Sequence, residues 1–166
     1  DSPPWNSCAN PSIPMLTLHN DFADFLRLLN ERNVRYIVVG GYAVAYHGYP
    51  RYTGDLDVFV EASQENAARL VEVYGEFGFD RTALKPAMFI VPDNVVRIGH
   101  APVRLEVLTS ITGVAFADAY VRRIEVEVNG LSVPFISVVD LIKNKLATGR
   151  GKDRVDAETL QRRITP

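Results

Sequence analysis

Two aspartates one residue apart, Asp55 and Asp57, open the otherwise apolar run DLDVFV, and a third acid, Glu106, sits inside VRLEVLT. In an extended strand residues i and i+2 leave the same face about 6.5–7 Å apart, so Asp55 and Asp57 point together while Leu56 and Val58 point into the core. Like charges on a half-buried strand raise each other's pKa and lose hydration, and a divalent cation between them turns that cost into a binding site. Mg2+ (or Mn2+) suits the donor set, because it takes oxygen ligands from one or two carboxylates and completes its shell with substrate phosphates. Three converging acids can hold two such ions about 3.5–4 Å apart, the spacing that activates an attacking oxygen and neutralises a leaving phosphate. Asp55, Asp57 and Glu106 are therefore the candidate metal ligands and catalytic residues. The competing reading is a solvated strand end, with Glu106 neutralised by Arg97 or Arg104.

A second group of residues suits phosphate. Gly40 and Gly41 end the run RYIVV, and backbone without side chains at a helix start lets phosphate oxygens approach amide N–H groups, although a Gly-Gly pair also serves as plain punctuation between strand and helix. Lys143, Lys145, Arg150, Lys152 and Arg154 fall within twelve residues and are opposed there by Asp153 alone. Such a tract can grip a triphosphate or an RNA backbone, or simply solvate a helix face. In YHGYPRYTG, Arg51 and Thr53 are candidate nucleotide contacts and His47 a candidate supporting residue. His47 reads equally well as a hydrogen-bonded helix end, and Arg51 as a loop charge. Tyr42, Tyr46, Tyr49 and Tyr52 can stack a base, but packing at the core and its rim is the simpler use.

The elements that must position these residues follow from periodicity. Phe22, Phe25, Leu26 and Leu29 recur at helical spacing after Asn20 or Asp21 as the cap. A buried strand RYIVV, a short helix ending at Gly48, a second strand from Asp55 to Glu61 and a helix capped by Ser63, with Ala67, Leu70, Val71, Tyr74 and Phe77 on one face, come next. MFIV and VVRIG read as paired strands around the turn PDN, VRLEVLT as a further strand and GVAFADAYVRR as a short helix. Asn129-Gly130 predicts a two-residue hairpin turn whose return strand, carrying Pro134, belongs at a sheet edge and blocks pairing there. Ser137 and Asp140 form a capping box opening a helix through Leu146, and a last helix runs from about Lys152 to Arg163.

The chain has 166 residues, 47% of them hydrophobic and 23% charged, the make-up of one domain with a real core. Residues 1–16, rich in Pro, Ser and Asn, read as a disordered tail or cloning remnant, and 17–166 as a single domain. A net charge of −2 argues against a protein that coats nucleic acid. With one cysteine, Cys8, and three scattered histidines, a disulfide framework and a zinc site are not expected, and no run suggests a signal peptide or a membrane span. A cytoplasmic protein is the expectation.

Taken together, VVGG, thirteen residues and then DLDVFV resemble the signature of polymerase-beta-like nucleotidyltransferases. GGYAVAYHGYPRYTGDLDVFV and DLIKNKLATGRGKDRVDAETL look most like the small bacterial branch related to abortive-infection and toxin–antitoxin proteins, and the resemblance covers about residues 20–163. It implies an α/β (α+β) nucleotidyltransferase fold, a mixed sheet flanked by helices with further helices at the C-terminus. It implies transfer of an NMP from an NTP to an acceptor hydroxyl, with Asp55, Asp57 and Glu106 as metal ligands, Glu standing where the family usually has Asp. Lys145 maps onto a family lysine expected at the triphosphate or acceptor, Asp153 onto the family's later acid, and Lys143 is a supporting candidate. The acceptor stays open among tRNA, a protein and a small molecule, and an antitoxin is a candidate partner. Two rival readings are an inactive nucleotide-binding or protein-interaction module of the same fold and a D-x-D sugar transferase, the second disfavoured by the glycine pair.

Overall fold

The computed structural model describes residues 19–49, 53–100 and 103–165. The expected tail over 1–16, Cys8, Arg51 and Tyr52 lie outside the described residues. Helix α1 (Asn20–Glu31) buries Phe22, Phe25, Leu26 and Leu29, the four residues its spacing selects. Its cap is His19 rather than Asn20 or Asp21: the imidazole Nδ1 accepts from the Asp21 N–H at 3.1 Å, so the helix begins one residue earlier. Strand β1 (Tyr36–Val39) is buried throughout, as a run of β-branched residues and tyrosine between helices should be. It passes directly into α2 (Gly40–Tyr46), which leads to β2 (Asp55–Val60) and then α3 (Gln64–Glu76). Ser63 caps α3, its Oγ accepting from the Asn66 N–H. The buried face of α3 carries Ala67, Leu70, Val73 and Tyr74, with Val73 in the place expected of Val71.

Strands β3 (Val95–His100), β4 (Val103–Leu108), β5 (Ile124–Val128) and β6 (Leu131–Phe135) complete a six-stranded sheet of order β3-β4-β2-β1-β6-β5. The sheet is mixed: β1–β2, β3–β4 and β5–β6 are antiparallel, whereas β2–β4 and β1–β6 are parallel. Helix α4 (Phe116–Val121) precedes β5, and α5 (Val138–Thr148) and α6 (Gly151–Ile164) close the chain, joined at Gly149 with φ 72°. Among the described residues no helix is long and apolar enough to cross a membrane.

Two expectations for strands are corrected. MFIV is not a strand: Pro86–Phe89 is a 3-10 turn with Pro at its start, and Phe89 drops into the core. Proline presets φ for a helical first position and supplies no ladder N–H, and the pairing partner of β3 is β4. The second correction concerns Pro134. Asn129 and Gly130 do make the hairpin turn, with φ 51° and 78°, but β6 is an interior strand between β1 and β5. The Ile136 N–H donates to the Val38 carbonyl at 3.0 Å. Amides two residues apart face the same neighbour, so the next bond toward β1 would need an N–H from Pro134. The parallel ladder is accordingly reduced to the single pair Val38 and Phe135. Proline here shortens a ladder inside the sheet instead of marking its edge.

Candidate active site

The three acids meet through strand register. In the parallel β2–β4 pair, Asp57 lies opposite Glu106 and Asp55 opposite Arg104, so the carboxylates leave one face of neighbouring strands. Leu56 and Val58 are buried on the other face at 1% and 0% exposure. Burial pushes the Asp57 carboxyl up to about 7, helped by the charge of Glu106, a hydrogen bond shared with it and the charge of Asp55, while Lys145 pulls it back. The buried Oδ1 of Asp57 has no hydrogen-bond partner among the described residues. A carboxylate so placed needs a proton or a cation.

The start of α2 adjoins the acids. Val39 pairs with Asp57 across β1 and β2, so Gly40 lies directly beside that carboxyl. Gly40 has φ 68°, and a Cβ there would overlap Asp57 Oδ2. A Cβ on Gly41 would come within 2.5 Å of Thr53 Oγ1, whose hydroxyl donates to the Asp55 carbonyl at 3.2 Å. The glycine pair is thus required by the packing of Asp57 and Thr53, independently of any ligand. A cleft of about 430 Å³ lies here, lined by the two glycines, Thr53, Gly54, the three acids, Lys145, Arg150, Lys152 and Asp153.

The basic side is more constrained than the run of charges implies. Lys145 is 7% exposed, and its Nζ contacts Asp153 Oδ1 at 2.9 Å and Asp156 Oδ2 at 3.3 Å. Asp153 also accepts from Thr148 Oγ1 at 2.7 Å and Arg150 Nε at 2.8 Å. Burial works to raise the Asp153 carboxyl, but its bonds from Thr148 and Lys145, with Arg150 nearby, outweigh it and hold the group below the usual carboxylate range. Lys145 and Asp153 are therefore an ion pair locking α5 to α6 at the rim of the cleft. Asp156, one turn beyond Asp153, escaped the sequence reading.

Among the described residues, the candidates His47 and Lys143 do not line the cleft. His47 gives its ring Nε2 to a 2.7 Å hydrogen bond with the Ile136 carbonyl, and burial lowers its pKa, so it joins the end of α2 to the strand leaving β6. Lys143 is exposed on α5 and does not line the cleft. Tyr42 packs edge-on against Phe22, and Tyr46 lies against Phe135, the packing use for these two tyrosines. Asp140 caps α5 with Ser137 and is in addition gripped by Arg122 through two bonds of 2.9 and 2.8 Å.

The acids have close counter-ions. Arg104 holds Asp55 through Nε at 3.2 Å and Nη2 at 2.6 Å, and its Nε is 3.5 Å from Glu106 Oε1. Arg97, opposite Glu106 on β3, reaches the same oxygen at 2.9 Å. Among the described residues no group of three His, Cys, Asp or Glu side chains is arranged to hold a metal ion as it stands. The donor chemistry nevertheless fits a hard divalent cation: three carboxylates, one with an orphaned oxygen, on a shared face of two strands.

This arrangement of a mixed sheet with flanking helices is the nucleotidyltransferase fold. A crystal structure from Thermotoga maritima, described as a "putative nucleotidyltransferase", superposes with a TM-score of 0.56 at 18% identity over 86% of this chain and 89% of that one. The chain belongs to the family described as nucleotidyltransferase of unknown function (DUF6036), whose model matches residues 16–164. No curated protein matches the sequence.

Proposed function

We propose that this chain moves an NMP from an NTP to an acceptor hydroxyl, releasing pyrophosphate, with Mg2+ or Mn2+ bound by Asp55, Asp57 and Glu106. The observation that carries the reading is the in-register Asp57–Glu106 pair, with its orphaned Asp57 oxygen, beside Gly40 in a cleft with a basic rim. When bound, the cation neutralises the triphosphate and lowers the pKa of the acceptor hydroxyl. Gly40 and Gly41 keep the cleft floor free of side chains where phosphates must approach. Thr53 holds the β2 entry, so that Asp55 and Asp57 stay aligned. Glu106 is the candidate to take the acceptor proton; the acceptor oxygen bonds to the α-phosphorus as the bond to the bridging oxygen breaks and pyrophosphate leaves. Lys152 and Arg150 at the rim favour an anionic nucleotide or a phosphate-bearing acceptor, tRNA among them; a protein or small-molecule hydroxyl needs the same chemistry at the attacking oxygen. A cytoplasmic role in the abortive-infection or toxin–antitoxin branch, with an antitoxin partner, is the biological setting we assign.

The test is to incubate the protein with each labelled NTP, Mg2+ and cell extract, and to follow which macromolecule or metabolite gains label. Label is expected to appear with the unaltered chain and to fall at least about a hundredfold in Asp55→Ala and Glu106→Ala. Label that persists in both variants removes the site from the reaction. The ion pairs on Asp55 and Glu106 favour a second reading, a module of this fold that binds nucleotide or a partner without transfer. On that reading Asp57→Asn keeps the biological effect of the protein while no NTP labels anything.

A further inference from the structure

The acid cluster has built-in counter-ions, and the two arginines are not equivalent. Of the three acids, Arg97 pairs with Glu106, from a side chain 64% exposed. Arg104 forks onto both oxygens of Asp55 and stands 3.5 Å from Glu106, so it spans two of the three carboxylates. A divalent cation and this guanidinium want the same oxygens, and both cannot have them. Arg104 can leave. Its side chain is 38% exposed, and its neighbour on β3 is Gly99, which puts no side chain beside it. Asp57 in the middle of the cluster cannot move out to meet a counter-ion, being wedged against Gly40.

Phosphate is where a displaced guanidinium would go. The same fork that fits a carboxylate fits two phosphate oxygens, and Arg104 is rooted one residue pair from the cleft lining on β2. Of the other cleft cations, Lys145 is held by Asp153 and Asp156 and Arg150 by Asp153, and Lys152 is an exposed point charge without the two-pronged fork. We propose that Arg104 occupies the carboxylates as a resident counter-ion in the empty enzyme, yields them when a divalent cation enters, and turns to the phosphates of the arriving nucleotide. This rests on the nucleotidyltransferase reading above and adds to it an order of events, cation before nucleotide, enforced by one side chain.

The experiment is calorimetric titration of Mn2+ into the nucleotide-free chain and its Arg104→Gln and Arg104→Lys variants, with melting curves to show that each is folded. A non-hydrolysable NTP analogue is then titrated at saturating Mn2+. Losing a partly exposed competing ion pair should tighten Mn2+ binding about two- to fivefold in Arg104→Gln. The same variant should bind the analogue about tenfold more weakly, having lost a charge-assisted fork. Arg104→Lys, which keeps the charge without the fork, should fall between and reads the same effect if the glutamine variant does not fold. Unchanged or weaker Mn2+ binding, or unchanged analogue binding, overturns the role of Arg104 and leaves the cation site standing. Failure of the unaltered chain and both variants alike to bind Mn2+ overturns the cation reading itself, and the role of Arg104 with it.

Discussion

Asp57 is the perturbed carboxyl at the centre of the proposed site. In the native state it keeps its proton up to about 7, while in the unfolded chain it releases it near 3.8. Between those values the native state binds more protons, so the cation-free protein gains stability from this group at low pH and loses it as pH rises through about 7. Asp57→Asn removes the effect. Melting temperatures measured in chelator from about pH 4.5 to 8 should therefore show the variant drawing ahead of the parent as pH rises; parallel curves would mean that the carboxyl is not perturbed. Gly40 is the other residue with little latitude. Gly40→Ala must adopt φ 68° with a β-carbon and push against Asp57 Oδ2, at a cost of about 1–3 kcal/mol by urea unfolding. Activity should fall further than stability does, because the displaced group is a proposed ligand. The D-x-D spacing was readable in the sequence because two residues on one strand need no tertiary information to share a face. The bond from Arg104 to Asp55 was not, since those residues are 49 apart in sequence and meet only through the β2–β4 register.

At the scale of elements, α5 and α6 act as one unit clasped by a buried charge cluster. Lys145 between Asp153 and Asp156 sits in an environment where removing the cation leaves two carboxylates buried without their main counter-charge. Lys145→Met should cost about 3–5 kcal/mol in denaturant unfolding, more than a triphosphate contact alone would suggest; a variant as stable as the parent would return Lys145 to the role of a free ligand-binding cation. The capping serines and the Asn129-Gly130 turn were legible because each is written within four residues. Asn66 was not. Its side chain accepts from the Arg35 N–H at 2.8 Å and donates to the Arg35 and Glu61 carbonyls at 3.0 and 2.9 Å, tying α3 to the segment entering β1 and the one leaving β2. An asparagine in the first turn of an amphipathic helix gives no local sign of such distant partners.

Across the whole molecule, the sheet order places β2 between β1 and β4, and this puts glycines, aspartates and glutamate from three separate stretches around one cleft. A chain that binds a cation and nucleotide only when folded is stabilised by both. On the proposed function, Mn2+ with an NTP analogue at about a hundred times its dissociation constant should add about 2.7 kcal/mol, several degrees of melting temperature, and Asp55→Asn should abolish the gain. Equal shifts in parent and variant would place the nucleotide elsewhere.

What the sequence by itself determined is whatever lies within one turn or one strand: the apolar faces of α1 and most of α3, the acid pair, the glycine turn, the serine caps of α3 and α5 and the hairpin. Those are short-range preferences of backbone and side chain. Tertiary structure alone decided that Pro134 lies inside the sheet, that Lys145 is spoken for and that Arg104 holds Asp55. Each of these depends on which strand or helix becomes a neighbour, and that choice is settled by burial of the shared core rather than by any residue's own preference.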